Sequence, residues 1–272
     1  MSAPDLSSLC ADAEAEHADV AAMVAGLAPA AWATPTPAPG WDIRDQVGHL
    51  AFFDYAAALA IRDPQAFARM QAGAEADADF VEGVRARWVD RSGPEVLEWW
   101  AAERASFLAA VLASDPALRV PWFGPPMSLA SKVTARIMET WAHGQDVADA
   151  LGRTRAATDR LRHVAHIGVR ARPFSYLARG REMPAADVAV ELRAPSGATW
   201  SWEEAGSADR VEGTGLDFCL VVTQRRHLDD TDLSATPGPA REWMEIAQAF
   251  AGPPGPGRRP GQFARRPEEE IR

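Results

Sequence analysis

The sequence is poor in cysteine and lysine. Its 272 residues include two cysteines, Cys10 and Cys219, which lie far apart and form no Cys-x-x-Cys pair. This argues against a disulfide framework and against a cysteine-rich zinc site, and it fits a protein of the reducing cytoplasm. Lys132 is the single lysine beside abundant arginine, which indicates a GC-rich genome and carries no functional information.

A long apolar run and a basic surface are also missing. No apolar run approaches the roughly 18 residues that a helix needs to cross a bilayer, and residues 1–17 are acidic and polar, unlike a signal peptide. The formal net charge is -10, and no basic stripe follows the part of the chain expected to fold. We therefore expect no nucleic-acid partner and no membrane partner, because both present negative charge.

The first half contains helix-forming segments separated by proline-rich joints. Four helices are predicted, over residues 6–27, 42–62, about 75–113 and 128–151. Asp42 and Ser128 are suitable N-caps for the second and fourth helices. Ser92-Gly-Pro94 is a sequence that can break the third. Four helices with short or proline-rich joints predict an up-down four-helix bundle over residues 1–152.

The second half has a mixed pattern. Strands are predicted at residues 187–193, 198–202 and near 210–212, where apolar and polar side chains alternate. Helices are predicted at residues 158–178, 215–227 and 240–251. This predicts a small α/β domain over residues 158–251, and for the whole chain the α+β fold class. Residues 252–272 are rich in proline, glycine and arginine, which predicts a disordered tail.

The candidate chemistry lies on the second and fourth predicted helices. Glu139 and His143 are four residues apart, so a carboxylate and an imidazole share one helix face. His49 lies on the second helix beside its apolar arc, in a position equivalent to that of His143. Together the three could bind one metal ion and leave coordination positions open. From the spacing alone, a solvated polar stripe and a structural histidine remain the alternatives.

Two motifs and the second half of the chain resemble one known family. Trp41-Asp-Ile-Arg-Asp-Gln-Val-Gly-His49-Leu resembles the start of the second helix in DinB-like metal-binding bundles. Met138-Glu-Thr-Trp-Ala-His143-Gly-Gln-Asp146 resembles the second metal segment of the mycothiol-dependent maleylpyruvate isomerase family. Trp200-Ser-Trp202, Val211-Glu-Gly213 and Arg225-Arg226 resemble its small C-terminal domain. The resemblance covers nearly the whole chain apart from the tail.

The resemblance implies a metal site and a thiol cofactor. The metal would be zinc, bound by His49, Glu139 and His143, although the same donors also suit Fe²⁺ or Ni²⁺. The cofactor would be mycothiol or a similar low-molecular-weight thiol, which a metal can deprotonate to the nucleophilic thiolate. The expected reaction is S-transfer, or cis-trans isomerisation by addition, bond rotation and elimination. The expected partners are this thiol and a small electrophilic or acidic substrate.

Five further residues are candidates for the site, and each also has a purely structural interpretation. By the same resemblance Arg225 or Arg226 is a catalytic candidate that binds an acidic substrate or the thiol, or both are surface arginines at a helix end. Asp146 either orients a ligand histidine or is a surface carboxylate. Trp122 and Phe123 either line the mouth of the site, where cofactor would bind, or fill a core. Among the other histidines, His17 is expected at the surface.

Three functions compete at this point. The first is the metal- and thiol-dependent transferase or isomerase. The second is a thiol-independent metal hydrolase or lyase, in which the ion would activate water. The third is a non-catalytic metal-binding module, which an open coordination position disfavours. The sequence leaves the substrate and the oligomeric state open.

Overall fold

The chain divides into two compact units, Met1–Arg155 and Ala156–Arg272. A computed structural model describes residues 5–76, 80–202 and 207–263. The first unit is helical and the second combines helices with a small sheet, so the fold class is α+β, as predicted. Within the described ranges no helix is both long enough and apolar enough to cross a membrane.

The first unit is built on four long helices. They are α1 (Leu6–Val24), α2 (Ile43–Arg62), α5 (Gly93–Leu112) and α6 (Leu129–Ala150), with two shorter helices, α3 (Pro64–Ala76) and α4 (Phe80–Val84), between the second and third. A two-stranded antiparallel pair, β1 (Arg119–Val120) and β2 (Met127–Ser128), precedes α6. Both α1 and α2 pack against α5 and α6. The two predicted ligand helices, α2 and α6, are therefore neighbours in one bundle.

The helix starts follow the capping residues. Asp42 accepts a hydrogen bond from the Asp45 backbone N–H, and the Asp45 carboxylate accepts one from the Asp42 backbone, which closes a capping box. Ser128 caps α6 through the Ser131 N–H. The third predicted helix is broken at Ser92-Gly-Pro94, as its sequence suggested, because Ser92 caps a new helix, α5. The described residues before this break form α4 and a 3-10 turn at Arg85–Arg87, while α3, which begins at Pro64, was not predicted.

Close packing beside the site depends on one glycine of α2. A Cβ atom built on Gly48 would lie 2.5 Å from two atoms of the buried Trp88 ring. The ring therefore packs directly against the α2 backbone at the residue before His49. It is held there by its Nε1–H, which donates to Asp45 Oδ1 at 3.0 Å. The indole fixes this part of α2 in the core.

The second unit is a four-stranded sheet with four helices in its described part. The helices are α7 (Leu161–Arg170), α8 (Arg172–Leu177), α9 (Gly215–Val222) and α10 (Pro239–Ile246). The strands are β3 (Val188–Arg193), β4 (Thr199–Trp202), β5 (Asp209–Thr214) and β6 (Ser234–Ala235), in the order β4-β3-β5-β6. β3 and β5 run parallel and the outer pairs are antiparallel. The single helix predicted over residues 158–178 is thus two helices, with Pro173 in the first turn of the second.

The first twelve residues of the predicted disordered tail belong to the described part of the chain. Residues 252–263 contain no helix or strand, yet they contact the second unit. The Gly261 backbone N–H donates to Asp230 Oδ1 at 2.7 Å, and the Arg226 guanidinium lies 4.5 Å from the centre of the Phe263 ring. Composition missed these contacts because each depends on a single backbone group or ring. Residues 264–272 of the predicted tail lie outside the described residues.

Candidate metal centre

The structure brings His49, Glu139 and His143 together between α2 and α6. Glu139 Oε2 lies 3.2 Å from His143 Nε2 and 3.7 Å from His49 Nε2. The two imidazole centres are 4.4 Å apart. One donor atom from each residue lies within 4.8 Å of the others. Residues from two separate helices thus present their donors to one point.

These distances fit a divalent ion. Ligands held about 2.1 Å from a tetrahedral ion lie about 3.4 Å from each other, and the separations of the Glu139 oxygen from the two histidine nitrogens, 3.2 and 3.7 Å, fall on either side of that value. Two imidazole nitrogens and a carboxylate oxygen form a donor set typical of zinc with an open position. The side chains retain 12% exposure for each histidine and 24% for the glutamate, so the cluster is in contact with solvent.

The protonation states also suit metal binding. Burial, together with the neighbouring His143, lowers the pKa of His49 to about 4 and outweighs the opposing effect of Glu139. Burial raises the pKa of Glu139, but hydrogen bonds from His143 and His49 outweigh it and hold that pKa well below its usual value. At neutral pH the site therefore offers a carboxylate and a neutral His49, the forms in which these groups bind metals.

A hydrogen-bond relay fixes the orientation of His143. His143 Nδ1 lies 2.5 Å from Gln46 Oε1, and Gln46 Nε2 donates to Thr36 Oγ1 at 2.8 Å. Thr36 Oγ1 in turn donates to the Trp41 carbonyl at 2.9 Å. Because an amide oxygen only accepts, Nδ1 carries a proton, and Nε2 is the ring nitrogen that faces Glu139 and would bind an ion. Sequence analysis missed this role of Gln46, although its position one turn before His49 on α2 was a usable signal.

Aromatic rings enclose the two histidines. The Trp41 ring stacks on His143 with centres 5.9 Å apart and planes at 19°, and it lies 5.2 Å from the centre of His49. Phe53 packs on the other histidine, with its ring centre 4.5 Å from that of His49. The donors therefore lie in largely apolar surroundings, where electrostatic interactions are stronger than in water.

A buried ion pair also joins the two helices that carry the candidate ligands, α2 and α6. Arg136 Nε of α6 donates to Asp54 Oδ1 of α2 at 2.7 Å, and both side chains are almost fully buried. Trp100 Nε1 donates to the second Asp54 oxygen at 2.9 Å. His17, which was predicted at the surface, is fully buried with Nε2 3.8 Å from the same oxygen. That prediction failed because nothing near His17 in sequence reveals its partner on α2.

Trp122 and Phe123 belong to an aromatic cluster that reaches the site through Phe53. We define the cluster as Phe53, Phe67, Trp122 and Phe123, whose ring centres lie 5.0–6.3 Å apart in the contacting pairs. Trp122 and Phe123 lie on the loop between β1 and β2 and are half-buried. Their suggested part in binding a cofactor stays a prediction.

Asp146 and the two arginines are placed as follows. Asp146 is buried on α6, so the surface alternative for it is wrong, and its predicted role beside the ligand histidines stays a prediction. Arg225 and Arg226 follow α9 in the second unit and are half-buried, with their guanidinium groups donating to the carbonyls of Thr223 and Arg225. Arg226 also lines a cavity of about 250 Å³ in that unit. Their catalytic role likewise stays a prediction.

A four-helix bundle with a His–Glu–His cluster, continued by a small α/β unit, defines a class of candidate metal-binding proteins. Comparison of the sequence with protein-family models identifies the family within this class. The model of the mycothiol maleylpyruvate isomerase N-terminal domain matches residues 13–148, and the chain belongs to this family. The matched segment contains all three clustered residues.

The chain is also similar to individual proteins and to solved structures. Two uncharacterised proteins of Mycobacterium tuberculosis, from two strains, are each 49% identical over 249 residues, which cover 91% of this chain and 97% of theirs. Crystal structures of the mycothiol-dependent maleylpyruvate isomerase and of a histidine-to-alanine mutant of it superpose with a TM-score of 0.58 at 14% identity. The match covers 86% of this chain and 94% of those chains, and at this identity it establishes a shared fold.

Proposed function

We propose that this protein is a divalent-metal-dependent enzyme that uses a low-molecular-weight thiol such as mycothiol, as an S-transferase or a cis-trans isomerase. The observation that carries the proposal is the convergence of His49, Glu139 and His143, whose donor atoms lie within 4.8 Å of one another and whose side chains keep partial contact with solvent. Membership of a family whose description names mycothiol and an isomerase supports the thiol and the reaction class.

The residues of the chain have distinct tasks in this proposal. His49, Glu139 and His143 would bind the ion, with zinc preferred over Fe²⁺ or Ni²⁺ for this donor set. When bound, an ion with an open position lowers the pKa of a coordinated thiol, so that the nucleophilic thiolate is available at neutral pH. Gln46 holds His143 in the tautomer that leaves Nε2 free. Trp41 and Phe53 limit the access of water to the donors.

The substrate in this proposal is a small electrophile or unsaturated acid. Arg225 or Arg226 would bind its carboxylate or the thiol, because a guanidinium can form two parallel hydrogen bonds with a carboxylate. Trp122, Phe123 and Asp146 would contribute to the cofactor's surroundings. The thiol-independent hydrolase has less support, since Glu139 already interacts with both histidines and is not free to act as a general base.

Metal content and thiol binding test the proposal. We expect elemental analysis of the purified protein to find about one zinc per chain, lost in His49→Ala and retained in the control His166→Ala, whose histidine is exposed in the second unit. Mycothiol at millimolar concentration should raise the melting temperature of the zinc-loaded wild type but not of His49→Ala. Retention of metal by His49→Ala, or no thermal shift with mycothiol, would overturn the proposal.

A further inference from the structure

The single lysine of the chain is buried without a hydrogen-bond partner. Lys132 is 1% exposed, and its Nζ has no hydrogen-bond partner among the described residues. The amine lies over the face of Trp122, 3.1 Å from the ring centre. A π face attracts a cation but supplies no acceptor for its three N–H groups. A buried amine normally has an anionic or hydrogen-bonding partner, and the described residues supply none to Lys132.

Lys132 lies on the same face of α6 as the candidate metal ligands. It precedes Glu139 by seven residues, so the two side chains are almost aligned along the helix, about 10 Å apart. Trp122, which covers the amine, belongs to the aromatic cluster, and Phe53 of that cluster contacts the His49 ring. An apolar wall thus extends from the amine to the metal ligands.

The other cation of this stretch already has bonding partners. Arg136 lies between Lys132 and Glu139 on α6, but its guanidinium is bonded to Asp54 and to the Leu50 carbonyl. Its positive charge and the burial of Lys132 together lower the pKa of Lys132 to about 6, with burial the larger cause. A bound anion would reverse both effects, because it would replace the lost hydration and offset the charge of Arg136.

We infer that Lys132 binds the carboxylate of an acidic substrate, which displaces the Trp122 ring from Nζ and lies along the aromatic wall toward His49. This inference rests on the proposed function and adds that the substrate of that reaction carries a negative charge. Trp122 is suited to this displacement because it lies on the loop between β1 and β2 rather than within a helix. The substrate class is a short carboxylic acid whose reactive carbon lies several bonds from the carboxylate.

Because Lys132 is the single lysine, its signal can be observed without ambiguity. Protein grown with ¹³C-lysine gives one set of Hε–Cε cross-peaks, and these disappear in Lys132→Met. We expect the Hε resonance upfield of free lysine, since the Trp122 face shields it, and a saturable downfield movement with succinate at constant ionic strength. Succinamide, which has the same carbon skeleton without charge, should leave the resonance in place. No response to succinate, or an equal response to succinamide, would overturn the inference.

Kinetics provide a second test that separates this inference from the proposed function. In Lys132→Met we expect the KM of an acidic electrophile in the thiol-dependent reaction to rise about tenfold or more, the effect of losing one charge-assisted hydrogen bond. The KM of a neutral electrophile and the metal content should not change. Equal KM values in the variant and the wild type would refute the role of Lys132 alone. Absence of any thiol-dependent turnover in the wild type would refute the proposed function and leave the succinate titration to decide the carboxylate site.

Discussion

Gln46 and His143 join the two helices that supply the candidate metal ligands, through a contact of 2.5 Å between Oε1 and Nδ1. Gln46 lies one turn before His49, so a single turn of α2 both presents one histidine and orients the other. The geometry of the three donors is therefore set by a fourth residue that would not touch the ion. Four variants test how this region is held together.

Replacement of Gln46 by leucine should weaken metal binding without unfolding the bundle. The side chain would keep its volume, but His143 would lose the acceptor that fixes its tautomer, and such losses typically lower metal affinity by about 10–100-fold. Competition with a chromophoric chelator measures the change. Gln145→Leu is the matched control, because the Gln145 amide donates to Asp149 rather than to a site histidine. Equal zinc affinity in Gln46→Leu and the wild type would contradict the orienting role.

Replacement of Asp54 by alanine should destabilise the first unit strongly. The change leaves the Arg136 guanidinium buried without its carboxylate, which typically costs about 3–5 kcal/mol. Urea unfolding measures this loss. The double variant Asp54→Leu with Arg136→Met removes both charges and should recover much of the stability. If the double variant were as unstable as the single one, the ion pair itself would not be the cause.

The stability of the protein should fall as the pH drops from about 6.5 to about 4, in part through His17. Burial lowers the pKa of His17 to about 4 despite the nearby Asp54, with Arg136 and Arg104 adding smaller effects in the same direction as burial. The unfolded chain therefore binds a proton first on acidification, and the free energy of unfolding decreases through this window by on the order of 3 kcal/mol.

The variant His17→Phe isolates this contribution from that of the carboxylates. Urea unfolding of both proteins across the pH range should give a shallower pH dependence for the variant between about 4 and 6.5. Identical slopes would mean that His17 is not the group that titrates. Above pH 7 the wild-type His17 is neutral in both states, so the difference between the two proteins should become independent of pH.

Addition of one methyl group at Gly48 should disturb the site through the core. The new Cβ would lie 2.5 Å from the Trp88 ring, so the ring or α2 must move, and overpacking of this kind typically costs about 1–3 kcal/mol. Thermal unfolding and zinc affinity should both decrease. Gly73→Ala is the control, since no atom lies within 4 Å of its added Cβ and alanine favours the helix. A harmless Gly48→Ala would show that the Trp88 contact is not tight.

The predictions from sequence were most accurate where the information was local. The starts of α2 and α6 were placed within a residue or two because Asp42 and Ser128 cap them. Alternation of apolar and polar side chains, which is also local, predicted the strands β3 and β4. The stretch between α2 and α5 was misjudged because Pro64 begins a helix as readily as it ends one.

Pairings across the bundle could not be predicted in the same way. The prediction of a metal site at these three residues depended on resemblance to a family, because spacing alone favoured a solvated stripe and a structural histidine. Gln46, Asp54 and His17 were not assigned their partners, since each partner lies on another helix. Which polar groups meet depends on the rotation of one helix against the other, and local sequence patterns do not encode that rotation.

The distribution of donors between α2 and α6 has a consequence for the life of the protein in a cell. An ion bound by all three residues would tie together segments far apart in the chain, whereas the unfolded polypeptide retains only the adjacent pair on α6. Occupancy would then favour the native state by mass action. When the ion is scarce, the site would lose its metal-dependent activity. The unfolded fraction would also rise, so proteolysis would shorten the lifetime of the polypeptide.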